Sequence, residues 1–241
     1  MPSKSIGTLE RWYSGSNCPA FNIAARRAVR RAIGAPSAKK DIQVGDISYN
    51  DSYKLAVRRL QSLRDLEAAA KRCSVILDGK VFIVPYLQKE YRLDTASGNI
   101  EPDDLNLEEQ ILIFHYLVST APADDNPELV TFAGLPGGMF YYPTYRKRGP
   151  NRVLKAFGND PDAFFSAAER SGGRKTSFGD ASASIRVLPE IEFTVVLHLG
   201  DEEFPPEAQF LLRKDITAFL PLEDVAVLGG IIAARLQRAA G

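Results

Sequence analysis

Residues 178–228, FGDASASIRVLPEIEFTVVLHLGDEEFPPEAQFLLRKDITAFLPLEDVAVL, decide the fold. Ile191, Phe193, Val195 and Leu197 alternate with Glu192, Thr194, Val196 and His198, the period of a strand with one buried face. Ala183–Leu188 reads as a strand that turns into it at Pro189, and the central strand stops at Gly200. Asp201, Glu202 and Glu203 then meet Phe204, Pro205 and Pro206, which predicts a helix starting near Pro206, over 207–216, with its carboxylates at the positive end of the dipole. Two roles are open to those acids: capping that helix, or pointing into a pocket together with His198. Leu222–Ala239 reads as the last helix, with Gly229-Gly230 placed for close approach of another backbone.

Moving N-terminally, Asn151–Phe157 and Asp160–Ser171 are predicted helices, the second stopped by Gly172-Gly173. Before them, 129–152 reads as a strand, a Leu135-Pro136-Gly137-Gly138 turn, and a second strand reaching about 142. Phe140, Tyr141, Tyr142 and Tyr145 crowd beside Arg146, Lys147 and Arg148, an arrangement able to stack on a planar ring and hold an anion. The plainer reading is a hairpin whose tyrosines pack on the sheet edge. Neither GxGxxG nor GxxxxGK occurs there.

Leu105–Ser119 predicts an apolar helix with an Asn106/Glu109 capping box and Leu107, Ile111, Phe114, His115 and Leu117 facing inward. His115 reads as a satisfied core histidine, because no Ser, Cys or Asp is identifiable as its partner. Upstream, 74–94 contains three short strands, the first two joined by Asp78-Gly79, and 51–72 reads as one helix behind Asp51.

The chain of 241 residues is 45% hydrophobic and 25% charged, ordinary for a globular protein. The longest apolar stretch of consequence, Val225–Ala234, is ten residues with two glycines, too short to span a bilayer. Cys18 and Cys73 are too few for a metal cluster or a disulfide scaffold, and they fit a reducing compartment. The expected location is the cytoplasm, or an organelle stroma or matrix if the N-terminal arm follows a transit peptide.

Charge is unevenly spread. Residues 1–40 hold eight Lys or Arg against Glu10 alone, leaving 22 basic and 29 acidic residues for 41–241, so an arm of +7 precedes a body of −7. Within the arm, 21–34 predicts a helix with Arg26, Arg27, Arg30 and Arg31 at i,i+4 spacing, and Trp12 lies upstream. The arm either folds onto its own acidic body or docks on an anionic partner, for which an acidic protein face is favoured over nucleic acid. The predicted organisation is therefore a basic arm and linker, 1–50, and one α+β domain, 51–241. Its antiparallel or mixed sheet of about five to seven strands is drawn from 74–94, 130–142 and 183–199.

The body, roughly 51–238, resembles the prokaryotic family called domain of unknown function 3786. The resemblance is carried by His115-Tyr116-Leu117, Leu135-Pro136-Gly137-Gly138 with its following Tyr, Gly179-Asp180, Leu188-Pro189, Gly200-Asp201-Glu202-Glu203-Phe204-Pro205 and Leu220-Pro221-Leu222-Glu223-Asp224. It implies association with an iron–sulfur module of corrinoid one-carbon chemistry. This sequence carries no cysteine-rich module and has the basic arm instead.

The functional expectation is a non-catalytic domain binding a planar or anionic small molecule, the cofactor being unspecified. Its expected site is Gly137, Gly138, Tyr141, Tyr145, Arg148, Asp180, Asp201 and Glu203. The alternative is an accessory subunit docked through Trp12, Arg26, Arg27, Arg30 and Arg31. No catalytic motif is identifiable, and Asp180, His198, Asp201 and Glu203 are the one group able to be nominated for acid–base work.

Overall fold

The computed structural model describes residues 49–120 and 127–240, so the arm, with Trp12, Arg26, Arg27, Arg30 and Arg31, lies outside the described residues. In chain order the elements are α1 (Tyr49–Gln61), α2 (Leu66–Arg72), β1 (Ile76–Asp78), β2 (Val81–Tyr86), β3 (Lys89–Asp94), β4 (Ile100–Glu101), α3 (Leu107–Leu117) and β5 (Leu129–Thr131). They continue with α4 (Gly138–Arg148), α5 (Pro150–Phe157), α6 (Pro161–Arg170), β6 (Arg174–Thr176), β7 (Ala181–Leu188), β8 (Ile191–His198), β9 (Glu207–Arg213) and α7 (Leu222–Ala240).

The class is α+β, and its strands divide between two antiparallel sheets. Among the described residues one sheet runs β1-β2-β3-β4 and the other β5-β9-β8-β7-β6. Leu87, at the β2–β3 turn with φ 56°, donates its N–H to the Val187 carbonyl at 2.7 Å and ties the two sheets together. No helix among the described residues is long and apolar enough to cross a membrane.

β8 lies at the centre of the larger sheet, paired with β7 through Ala183↔Val195 and with β9 through Val195↔Phe210. The alternation of its sequence predicted one covered face, but Thr194 and Val196 are buried as well as Phe193, Val195 and Leu197. It is therefore covered on both faces, as is its neighbour β7.

Three predicted elements are corrected. Residues 207–213 are strand, not helix: Ala208, Phe210 and Leu212 alternate inward, and the ladder to β8 satisfies the backbone. Residues 138–148 are helix, not the second arm of a hairpin, despite Pro143 inside it. Tyr145 on that helix stacks on Phe132 at 3.9 Å and meets Phe210 edge-on, so tertiary packing overrides a poor helical propensity. The single helix expected over 51–72 is two, broken at 62–65, with the Asp65 carboxylate accepting from Ala68 N–H to start the second.

The capping box at α3 is present as expected: Asn106 accepts from Glu109 N–H at 3.0 Å and Glu109 accepts from Asn106 N–H at 3.2 Å. Ile111 through Leu117 are all buried, so this helix is enclosed on every side, while Leu107, expected inward, is partly exposed. The close approach expected at Gly229 is also present. Its carbonyl lies 3.1 Å from the position a Cβ would take on Gly149, and its own Cβ would meet the Tyr145 ring at 2.7 Å.

Candidate functional site

A cavity of about 330 Å³ opens where the end of α3, the Pro136 turn and the segment leading into α7 meet. Its lining includes Arg59 from α1, His115, Ser119 and Thr120 from the end of α3, Pro136, Phe219 and Glu223. Three of the segments that carry the resemblance therefore converge here: His115-Tyr116-Leu117, Leu135-Pro136-Gly137-Gly138 and Leu220-Pro221-Leu222-Glu223-Asp224. Gly137 (φ 76°) starts α4 and faces Leu222, and Gly138 leaves no room for a side chain, because a Cβ there would lie 1.9 Å from the Phe132 carbonyl oxygen.

The wall of the cavity contains a buried acid–base pair. His115 Nδ1 lies 2.6 Å from Asp224 Oδ2, with side chains 6% and 3% exposed. The imidazole sits in the last turn of α3 and the carboxylate in the first turn of α7, so each charge of an ion pair would occupy the favourable end of a helix dipole. The contact runs through Nδ1 and turns the Nε2 edge of the ring, itself buried, away from Asp224. The expected core histidine thus has an acidic partner that sequence reasoning missed. No local signal marked it, because Asp224 follows Glu223 at the head of α7 and stands 109 positions from His115.

Behind the cavity a polar clasp ties distant segments together. Tyr116 donates its hydroxyl to the Cys73 carbonyl at 2.7 Å and accepts from Glu190 N–H at 3.1 Å. Arg213 bonds the Glu190 carbonyl and carboxylate at 2.9 and 3.2 Å and holds Asp215 through two nitrogens at 2.6 and 2.8 Å. Burial works to lower the Arg213 pKa, and the Asp215 and Glu190 carboxylates outweigh it, so the guanidinium is held above its ordinary range. The same guanidinium lies 4.8 Å over the Phe219 ring, whose other neighbour is Tyr116 at 5.9 Å.

The residues expected to form a site are spread over two regions. Gly137 and Gly138 adjoin the cavity. Tyr145 is a core residue, 1% exposed, and burial holds its hydroxyl well above the ordinary phenol pKa. Tyr141 and Arg148 are half-buried on α4. Asp180, Asp201 and Glu203 are exposed at the other end of the β8–β9 hairpin from Arg213 and Asp215, roughly 20 Å along a seven-residue strand. An ion pair between Arg146 and Glu207 at 3.9 Å links α4 to the strand that follows the acidic turn.

Two of these acids, Asp180 and Asp201, have a local backbone task. Asp180 accepts from Leu199 N–H at 2.8 Å, and Asp201 accepts from Glu203 and Phe204 N–H at 2.8 and 2.7 Å. The Phe204 and Glu203 amides hold the Asp201 carboxyl below its usual range. Because no helix follows, the capping role expected for the acidic segment is replaced by turn closure within a β-hairpin. His198 is half-buried and its Nε2 lies 3.1 Å from the Gln209 amide nitrogen.

The described residues do not fit an iron–sulfur cluster. Among them no group of three or more His, Cys, Asp or Glu is arranged to hold a metal ion, and Cys73 is buried with its thiol on the Tyr116 carbonyl at 3.2 Å. Burial pushes that thiol up to about 11, the reverse of what a thiolate ligand needs.

Two antiparallel sheets, a buried His–Asp pair and an open recess of mixed polar and apolar lining at the head of the last helix together characterise this α+β domain. The chain belongs to the family described as Domain of unknown function (DUF3786), whose model matches residues 65–235. That span takes in every cavity-lining residue except Arg59. No curated protein and no solved structure matches the chain.

Proposed function

We propose that this chain is a small-molecule-binding domain and that its ligand occupies the cavity beside His115, not the surface between α4 and the acidic turn. The observation that carries the reading is the buried His115–Asp224 pair in the wall of a recess whose volume, about 330 Å³, falls within the range of small-ligand sites. Arg59, Glu223 and the hydroxyls of Ser119 and Thr120 suit a polar ligand carrying both hydrogen-bond donors and acceptors. Purified full-length chain is tested by native mass spectrometry for a retained ligand and by thermal shift against a panel of metabolites and cofactors. A bound species or a shift that Ala218→Trp abolishes by filling the cavity is expected. Absence of both overturns the reading.

A second reading, an accessory subunit recruited through the basic arm, is favoured by the exposure of Met139 and Phe140, 69% and 90%, in the first turn of α4, an apolar patch a partner could cover. Native mass spectrometry of the chain with and without residues 1–40 tests it, and an arm-independent monomer counts against it.

A further inference from the structure

We infer that the outer face of the β1–β4 sheet is the docking surface for the chain's own basic segment, residues 21–34. The inference is independent of the cavity reading, and it selects the chain's own body over an external partner as the destination of the arm. Strand register lines up Ile76, Ile83, Arg92 and Glu101 in one row across all four strands. They alternate with Phe82, Val84, Tyr91 and Leu93, which are buried on the opposite face. Ile76 is 62% exposed, and a groove of about 510 Å³ lies between Ile83, Glu90, Arg92, Glu101 and Pro102. An open isoleucine beside an apolar groove marks a face suited to cover by a further element.

The chain supplies a matching element. In 21–34, Ala25, Ala28, Val29 and Ala32 recur at i, i+3, i+4 and i+7, the spacing of one helix side, and Arg26, Arg27, Arg30 and Arg31 fall on the other. Small apolar side chains permit close approach to the sheet, while long arginine stems reach round to carboxylates at its rim. Those carboxylates are present: residues 76–108 hold seven Asp or Glu against three Lys or Arg, a net charge of −4 out of the body's −7. Lys89 and Arg92 are already paired with Asp104 and Asp78, and Glu90, Glu101 and Asp103 are exposed.

The arm also joins the body at this edge. α1 runs beside the β3–β4 hairpin: near its end Gln61 donates to the Ala96 carbonyl at 2.6 Å, and Val57 leaves no room for a side chain on Gly98. One turn from its start, Tyr53 lies where burial, and after it the Asp103 carboxylate, raises the phenol above its ordinary range. The chain therefore enters α1 next to the Glu101–Asp104 segment. A helix of fourteen residues is about 21 Å long, enough to cross four strands set about 4.8 Å apart. The linker 35–48 keeps it at an effective concentration in the millimolar range, so individually weak surface ion pairs suffice to hold it.

The test uses the full-length chain. A carbodiimide joins a lysine amine to a carboxylate in direct contact, and the new bonds are mapped by mass spectrometry. Lys39 and Lys40, just beyond the segment, should be joined to Glu90, Glu101, Asp103 or Asp104, with a yield unchanged by about a hundredfold dilution, as a contact within one copy requires. Amide hydrogen exchange in 21–34 should be slowed at least about tenfold at low salt and lose that protection near 1 M salt, where the screening length is about 3 Å. Glu90→Lys together with Glu101→Lys should abolish both signals. Melting curves identify a variant that fails to fold, and the salt series on the unsubstituted chain needs no variant.

Cross-links that fade on dilution place the segment on a second copy and overturn the inference. Cross-links confined to Asp201, Glu202 and Glu203 overturn it as well, by moving the contact to the β8–β9 turn. Exchange in 21–34 that is as fast at low salt as at high salt, or protection that survives the double charge reversal, also refutes it. Each of these results leaves the cavity reading standing.

Discussion

Replacing Arg213 by Met keeps an apolar stem against Phe219 while removing the charge that joins the β7–β8 turn to the start of the 215–221 segment. The arginine side chain is 9% exposed, and its partners Glu190 and Asp215 are 23% and 26% exposed. Leaving a fully buried charge without its partner costs about 3–5 kcal/mol. Here each stranded carboxylate keeps about a quarter of its surface in water and can rehydrate in part, which brings the expected loss to about 2–3 kcal/mol. For a chain of this size that corresponds to a fall in melting temperature of about 4–12 °C. The assay is thermal unfolding of the full chain followed by circular dichroism, with Asp215→Asn made alone and together with Arg213→Met. The double variant should lose less than the sum of the two singles, because both remove the same contact. A fall below about 2 °C for Arg213→Met, or strict additivity, would refute the idea that this clasp carries stability.

Other perturbations separate packing from chemistry. Gly138→Ala should destabilise by about 3 kcal/mol in urea unfolding, because the new methyl group meets the Phe132 carbonyl and not a movable side chain. Tyr145→Phe should leave stability unchanged or raise it by about 1 kcal/mol, since the Tyr145 hydroxyl is buried without a hydrogen-bond partner. Ligand binding in the cavity should be unaffected by that change, as thermal shift would show. The neutral thiol of Cys73 and the neutral phenols of Tyr86, Tyr116 and Tyr145 are favoured by burial in the fold, and the unfolded chain ionises first. The thiol's stabilising contribution is therefore complete below pH 9.0 and is lost as pH rises toward about 11, while that of the phenols starts to fall above pH 10.0, so urea midpoints should decline from pH 9.0 upward. Asp201→Ala should lower the melting temperature by opening the β8–β9 turn yet leave any ligand-induced thermal shift from the cavity as it was.

Much of the fold could be read from local pattern. The Asn106/Glu109 box, the Asp78-Gly79 hairpin and the glycine pair of the last helix each declare themselves within a few residues, because the physics that fixes them is local. The strand at 207–213 was misread for the converse reason. Pro205 and Pro206 after three acids mimic a helix start, and they outweighed an alternation of Ala208, Phe210 and Leu212 that only pairing with β8 makes decisive. α4 was misread because its aromatic residues and Pro143 favour extended chain, and the stacking of Tyr145 on Phe132 that holds it helical joins separate elements. The cavity was hidden more deeply still. Its central pair joins residues 109 positions apart, and nothing local to His115 or Asp224 marks the other as its partner.

Because its wall is gathered from α1, the end of α3, the Pro136 turn and the head of α7, the recess exists only once the whole domain has closed. A ligand held there recognises the finished chain and ignores every partly assembled one. At a free concentration a hundred times its dissociation constant it would add about 2.7 kcal/mol to the native state. Inside a cell, where unfolded chains are continually removed by proteolysis, the supply of that small molecule would set how long each copy of the protein survives.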